Sequence, residues 1–216
     1  MLLLALDTAT PAVTVALHDG TSVIAQESAV DARRHGELLA VAIASVLRAS
    51  GAAAADLTGI AVGTGPGPYT GLRAGLVTAR VLGSALGISV DGVCTLDVIA
   101  QSAAGGAGGS EFIVATDARR KEVYWARYSP AGSRISGPQV SVPALVPPCL
   151  PVAGEGPVLY PELAAQRIGP RYPSAAQLAG IAAKRKAAGT PAGPADPIYL
   201  RKPDAREPGR PKRVTP

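Results

Sequence analysis

The chain has 216 residues, enough for one or two compact domains with an adequate core, and 47% of them are hydrophobic. No stretch suits a membrane span: the longest apolar-looking run, residues 135–155, is interrupted by five prolines, and the uncharged stretch 38–47 is too short. The opening Met1-Leu2-Leu3-Leu4-Ala5-Leu6 has no basic leader and is broken by Asp7, so it reads as a strand and not a signal peptide. A cytoplasmic location is therefore expected. The net charge of +5 is concentrated in residues 201–216, where Arg201, Lys202, Arg206, Arg210, Lys212 and Arg213 face only Asp204 and Glu207.

Three strands are expected first, over residues 2–7, 12–18 and 22–30, with Asp19-Gly20 as a hairpin signal between the last two. The pattern then turns helical from Arg34 to near Gly51. A short buried strand over 58–63 runs into the turn-dense Gly63-Thr64-Gly65-Pro66-Gly67-Pro68-Tyr69-Thr70-Gly71, which opens a helix over 71–87. A strand over 88–93 and a helix over 95–104 complete a β-β-β-α-β-α-β-α order, that of a ribonuclease-H-like lobe spanning residues 1–104. Glycines at 105, 106, 108 and 109 suggest a flexible joint.

Beyond the joint the chain begins again. Residues 111–117 repeat a strand ending in Asp, and Val123 follows Asp117 by the interval that separates Val13 from Asp7. A second, smaller lobe over 111–200 is expected, with proline-rich 138–151 in place of a helix and one clear helix at 174–188. Residues 201–216 form a basic, proline-rich tail suited to an acidic neighbour, to RNA phosphate or simply to solvent.

The helix over 71–87 is apolar around most of its circumference. Only Arg73, Arg80 and Ser84 share a polar arc about 40° wide. A helix on one sheet needs one apolar face, so the surplus face and the uncharged helix from Arg34 are expected to meet another protein. Gly71, Gly75, Ala79 and Gly83 recur every four residues and would let a backbone come close, either a partner's or that of the protein's own sheet. The expected contact face consists of Arg34, His35, Leu39 and Ile43 on the first helix and Leu72, Gly75, Leu76, Ala79 and Gly83 on the second.

Asp7 and Asp117 end the first strand of each lobe, where a carboxylate can organise magnesium and phosphate. The turns that follow, Thr8-Ala9-Thr10-Pro11 and Ala118-Arg119-Arg120-Lys121, lack the glycines that let backbone N–H groups approach an anion. Thr70 and Arg73, at the start of the second helix, are further candidates for an anion or nucleotide contact. No Lys follows the glycines as in a Walker loop, and His18 and His35 lie on different elements without a cysteine nearby. Cys94 and Cys149 read as two reduced, buried thiols. An autonomous actin-like small-molecule kinase or ATPase thus stands beside a non-catalytic interaction subunit.

The blocks Leu4-Ala5-Leu6-Asp7-Thr8-Ala9-Thr10, Arg34-His35-Gly36-Glu37-Leu38-Leu39, Gly65 to Gly75 and Asp117 to Tyr124 resemble the bacterial TsaB (YeaZ) proteins, with a fainter match at residues 199–205. The resemblance implies an actin-like (ASKHA) α/β fold of two lobes, the second reduced. It also implies a non-catalytic role in making threonylcarbamoyladenosine at position 37 of tRNAs reading ANN codons. The implied partners are a catalytic TsaD-type paralogue, met through a four-helix interface, and a TsaE-type ATPase; the chain would pair with itself when alone and reach tRNA through the complex. No cofactor or metal of its own is implied, and ATP at a subunit boundary is the candidate ligand of the assembly. The catalytic paralogue carries a His-x-x-x-His metal pair whose positions fall here on Thr95 and Ile99. Gly36 departs from the family's usual serine and weakens the first helical turn by up to about 1 kcal/mol.

Overall fold

In the computed structural model, which describes residues 1–201, the chain forms two five-stranded sheets. Strands β1 (Leu3–Asp7), β2 (Ala12–His18) and β3 (Val23–Val30) make an antiparallel meander. Helix α1 (His35–Ser50) leads to β4 (Gly59–Gly63), which lies parallel to β1, and α2 (Tyr69–Leu86) leads to β5 (Val90–Val93), parallel to β4. Helix α3 (Thr95–Ala103) follows. Strands β6 (Phe112–Asp117), β7 (Val123–Tyr128) and β8 (Arg134–Ser141) form the second meander, with β9 (Pro151–Ala153) and β10 (Gln166–Arg167) added in parallel.

The two sheets run β3-β2-β1-β4-β5 and β8-β7-β6-β9-β10, so order and direction are the same in both. The repeat of strand, Asp, turn and strand is therefore a repeat of topology, with Asp7 and Asp117 ending equivalent strands. This is the actin-like, ribonuclease-H-like arrangement. The second lobe is reduced in its helices: a single turn at Pro143–Leu145 stands where α1 stands in the first. The four-residue α4 (Gly156–Leu159) takes the place of α2. Prolines 138, 143, 147, 148 and 151 lack the donors a continuous helix would need.

Strand β1 is buried on both faces, and successive side chains go to opposite sides. Leu4 and Leu6 join Val13, Val15 and Leu17 beneath Leu39 and Val46 of α1 and Leu72, Leu76 and Ala79 of α2. Leu3 and Ala5, with Ala16 and Ala61, lie under Ala175, Leu178, Ala179 and Ala182 of α5 (Ala175–Ala187). The last helix of the second half therefore covers the first sheet, and the lobes are not the two consecutive segments 1–104 and 111–200. The alanine-rich face of α5 and the small side chains of that sheet face let helix and sheet approach closely. Helix α3 supplies Val98 to the same layer and Leu96, Ile99 and Ala100 to the second sheet, against Phe112, Val114 and Tyr128. Its two apolar faces make it the layer between the two sheets.

Two further expectations change. The glycine-rich joint is packed: a turn of 3-10 helix at Ala104–Ala107 continues α3, and Ala107 is buried in the core. Cys94 is buried, but Cys149 is exposed at positive φ in the turn before β9. The basic tail, apart from Arg201, lies outside the described residues. Among the described residues no helix is long and apolar enough to cross a membrane.

After α5 the chain becomes a strap. The Gly92 N–H donates to the Gly193 carbonyl (3.0 Å), the Gly193 N–H to Asp91 Oδ1 (2.7 Å) and the Ile198 N–H to the Thr64 carbonyl (2.9 Å). Glycine is required at 92, because a Cβ there would stand 2.1 Å from the Pro194 oxygen. Arg80 donates to the Ala195 carbonyl (2.7 Å) and pairs with Asp196. Tyr199 stacks on Tyr69 with ring centroids 5.6 Å apart, and Arg201 pairs with Glu122 at the β6–β7 turn.

Candidate functional site

Helices α1 and α2 lie side by side on the first sheet, and their outward side is the larger candidate surface. Val41 of α1 is 67% exposed, and Val77 and Val81 of α2 are 52% and 60% exposed. Ala40, Ala44 and Ala85 are exposed around them. Arg34 stands exposed at the start of α1, 2.8 Å from Glu37.

Most of the residues expected on this face point the other way. Leu39, Leu72, Leu76 and Ala79 are buried against the sheet, and Ile43 is half-buried at its border. The ridge of small residues also serves the protein's own core: a Cβ at Gly75 would meet Thr8 Oγ1 at 2.6 Å, and one at Gly83 would meet Val90 at 2.5 Å. His35 is buried, its Nε2 2.9 Å from the Thr10 carbonyl oxygen. These side chains set the spacing between the helices and the sheet, and the large apolar side chains left on the outward side are Val41, Val77 and Val81. The polar arc of α2 has its own explanation, since the strap crosses it and engages Arg80.

The second candidate is the cleft where the β1–β2 and β6–β7 turns meet. Thr8, Thr10, Pro11, His35, Thr70 and Arg119 line a space of about 170 Å³, smaller than the roughly 300 Å³ at which small-molecule pockets begin. Asp7, which precedes Thr8, is fully buried and accepts a hydrogen bond on each oxygen. Oδ1 accepts the Ala9 N–H (2.7 Å), and Oδ2 accepts the Thr95 hydroxyl (2.8 Å), whose oxygen in turn accepts the Gly65 N–H (3.1 Å). Burial pushes the Asp7 carboxyl up to about 6, against the pull of the Ala9 and Thr95 hydrogen bonds. A Cβ at Gly63 would stand 2.0 Å from Asp7 Oδ2. The carboxylate therefore ties strand, loop and α3 together. Ile99, the other position aligned with the metal pair, is fully buried in the core.

Asp117 repeats part of this. It accepts the Arg119 N–H (2.8 Å) and pairs with the Arg119 guanidinium (3.2 Å). Thr70 is exposed on the cleft wall, and Arg73 lies over the Tyr69 ring, 4.8 Å from its centroid. Asp7 and Asp117 are thus bound internally, while Thr70 and Arg73 remain at the surface near one another. In the turn itself Arg119, Arg120 and Lys121 hold φ of 61°, 54° and 60°, a left-handed conformation costing about 1–2 kcal/mol for each non-glycine residue.

Residues 23–148, more than half of the chain, match the family model described as "TsaD: tRNA N6-adenosine threonylcarbamoyltransferase". An uncharacterized protein of Mycobacterium tuberculosis is 46% identical over 209 residues, which cover 94% of this chain and 93% of that protein. The Escherichia coli tRNA threonylcarbamoyladenosine biosynthesis protein TsaB is 38% identical over 129 residues, 59% of this chain and 55% of its own. The structure of YeaZ from Pseudomonas aeruginosa superposes with a TM-score of 0.79 at 30% identity, covering 92% of this chain and all of that one. The chain belongs to the TsaB (YeaZ) family.

The amino-acid sequence marks the two TsaB-family helices but not the outward position of their valines, the strap or the strained basic turn. Val77 lies next to the Arg73, Arg80 and Ser84 arc in projection, with Val81 beyond it, and that adjacency to the solvent-facing arc was the available signal. The left-handed turn leaves no such trace, because Arg and Lys rarely adopt that conformation.

Proposed function

We propose that the chain is a non-catalytic subunit of the cytoplasmic system that forms threonylcarbamoyladenosine at position 37 of tRNAs reading ANN codons. It pairs through the outer side of α1 and α2 with a TsaD-type catalytic paralogue, self-pairs through the same side when alone, and helps recruit a TsaE-type ATPase. It needs no cofactor of its own, and any ATP of the assembly sits at a subunit boundary. Family membership supports the pathway. The observation that carries the pairing is the exposed Val41, Val77 and Val81 on two adjacent helices whose inner faces are already satisfied by their own sheet.

Co-expression with the catalytic paralogue, followed by affinity capture and a tRNA modification assay, tests this reading. The wild-type pair should co-purify and modify tRNA, and Val77→Glu/Val81→Glu should abolish both while the lone chain remains folded, as a monomer, by circular dichroism. Failure of the wild-type chain to associate, or undiminished pairing by the double variant, overturns it. An autonomous kinase or ATPase is disfavoured by the fully buried, internally hydrogen-bonded Asp7 and the small cleft; calorimetry with ATP and magnesium on the lone chain should register no binding.

A further inference from the structure

The outward side of α2 is bordered by α1 on one flank and by the strap on the other. Projected at about 100° per residue, Tyr69 and Arg80 lie within about 20° of each other, and Leu72 and Ala79, which face the sheet, lie about 80–100° from Arg80. Gly71, where a Cβ would stand 3.1 Å from His35 Nε2 of α1, lies about 180° from Arg80. Val77 and Val81 fall between the two flanks, about 60–100° from Arg80 on the side away from the core.

The strap keeps to its flank along three turns of the helix. Arg80 holds Ala195 and Asp196, and Tyr199 stacks on Tyr69. The helix rises about 16 Å between Tyr69 and Arg80, and an extended chain covers about 13 Å between Ala195 and Tyr199. Strap and helix therefore run side by side in opposite directions.

The fold does not seal this flank. Tyr69 and Tyr199 remain 54% and 48% exposed although they stack on each other. Arg73, one turn on from Tyr69 and one turn before Val77, donates to the Tyr69 hydroxyl and lies over its ring. Tyr69, Arg73, Val77 and Val81 thus follow one another at intervals of four residues, and Tyr199 widens the row at its start. Tyr and Arg held rigid beside apolar groups are the side chains that carry most of the binding energy at protein interfaces. None of residues 191–200 is buried, so the strap is held by few contacts and responds to whatever is bound beside it.

We propose that the strap is a third strip of the pairing surface: the partner docks across α1, α2 and Tyr199 together, so that a docked strap tightens pairing and pairing holds the strap docked. The choice of the catalytic paralogue as partner rests on the function proposed above. By linkage the two effects are one factor seen from two sides.

The experiment uses full-length wild type, Tyr199→Ala, Tyr199→Phe and Gly92→Ala. The last lies on β5, away from α2, and its Cβ would displace the strap at the Pro194 oxygen. Each chain is titrated with the paralogue by calorimetry, folding is checked by circular dichroism, and hydrogen exchange is followed at the Gly193 and Ile198 amides. In the wild type, saturation with the paralogue should slow exchange at both amides at least about tenfold. Tyr199→Ala should stay folded and bind the paralogue at least about tenfold more weakly. Tyr199→Phe, which keeps the ring stack, should bind within about twofold of wild type, and Gly92→Ala should lose affinity together with strap protection although it leaves the docking side chains in place.

A folded Tyr199→Ala chain that pairs as tightly as wild type overturns the proposal, and so does exchange at the two amides that pairing leaves unchanged. Tighter pairing by Tyr199→Ala or Gly92→Ala would make the strap a competitor of the partner and overturns it as well. In each of these cases wild type still pairs and the functional reading stands. A wild-type chain that does not pair at all sinks that reading, and this inference with it.

Discussion

Asp7 is fully buried, and the same carboxyl that the sequence marks as a phosphate or metal contact is spent on Ala9 and Thr95. Its folded-state value near 6 lies above the ordinary 3.8, so the folded chain binds the proton more tightly than the unfolded chain does. The favourable contribution of protonated Asp7 is complete below about pH 3.8 and is lost as pH rises through about 6. In urea unfolding, wild type should therefore gain about 2–3 kcal/mol relative to Asp7→Asn between pH 7.5 and pH 3.5. A difference that stays flat with pH would mean that the ionised carboxylate is fully compensated by its hydrogen bonds. The residue was legible as an Asp at a strand end. Its role was not, because the decisive hydroxyl lies 88 positions away on α3.

Helix α2 shows what periodicity can and cannot assign. Its apolar circumference was readable, but which arc faces the sheet depends on the small residues that fit against Thr8 and Val90. Leu76, expected on the contact face, is 3% exposed in the core. Leu76→Ala should cost about 2–4 kcal/mol in chemical denaturation, and Leu76→Glu should prevent folding before it affects association. Val81→Glu, more than half exposed, should shift the melting temperature of the lone chain by no more than about 2 °C, since surface changes of this kind stay near 0.5 kcal/mol. Equal losses of stability at the two positions would remove the distinction between inner and outer faces.

Across the whole molecule, α3 and the strap join the two sheets, while α5 covers the first. Arg80 pins the strap near Ala195 and Asp196, and Tyr69 holds Tyr199. Replacing Arg80 and Tyr199 by Ala should speed hydrogen exchange at the Gly193 and Ile198 amides at least about tenfold while leaving β1 and β6 protected, because a strap without a core of its own opens locally. Slowed exchange throughout the molecule, or none of this local change, would contradict a separately opening strap.

Sequence alone determined the strands of the first sheet, the long helices and the repeated strand, Asp, turn and strand, but not β8, β9 and β10, because alternation, helical period and glycine or proline punctuation are local signals that the proline-rich stretch breaks up. It also determined that the proline-rich half could not build a full set of helices. Tertiary structure alone decided that α5 covers the first sheet, that the glycine ridge faces inward, that Asp7 is bonded to Thr95 and that the strap ends at a strained basic turn. Each of these depends on groups far apart in the chain arriving at one place, and no window of neighbouring residues carries that information.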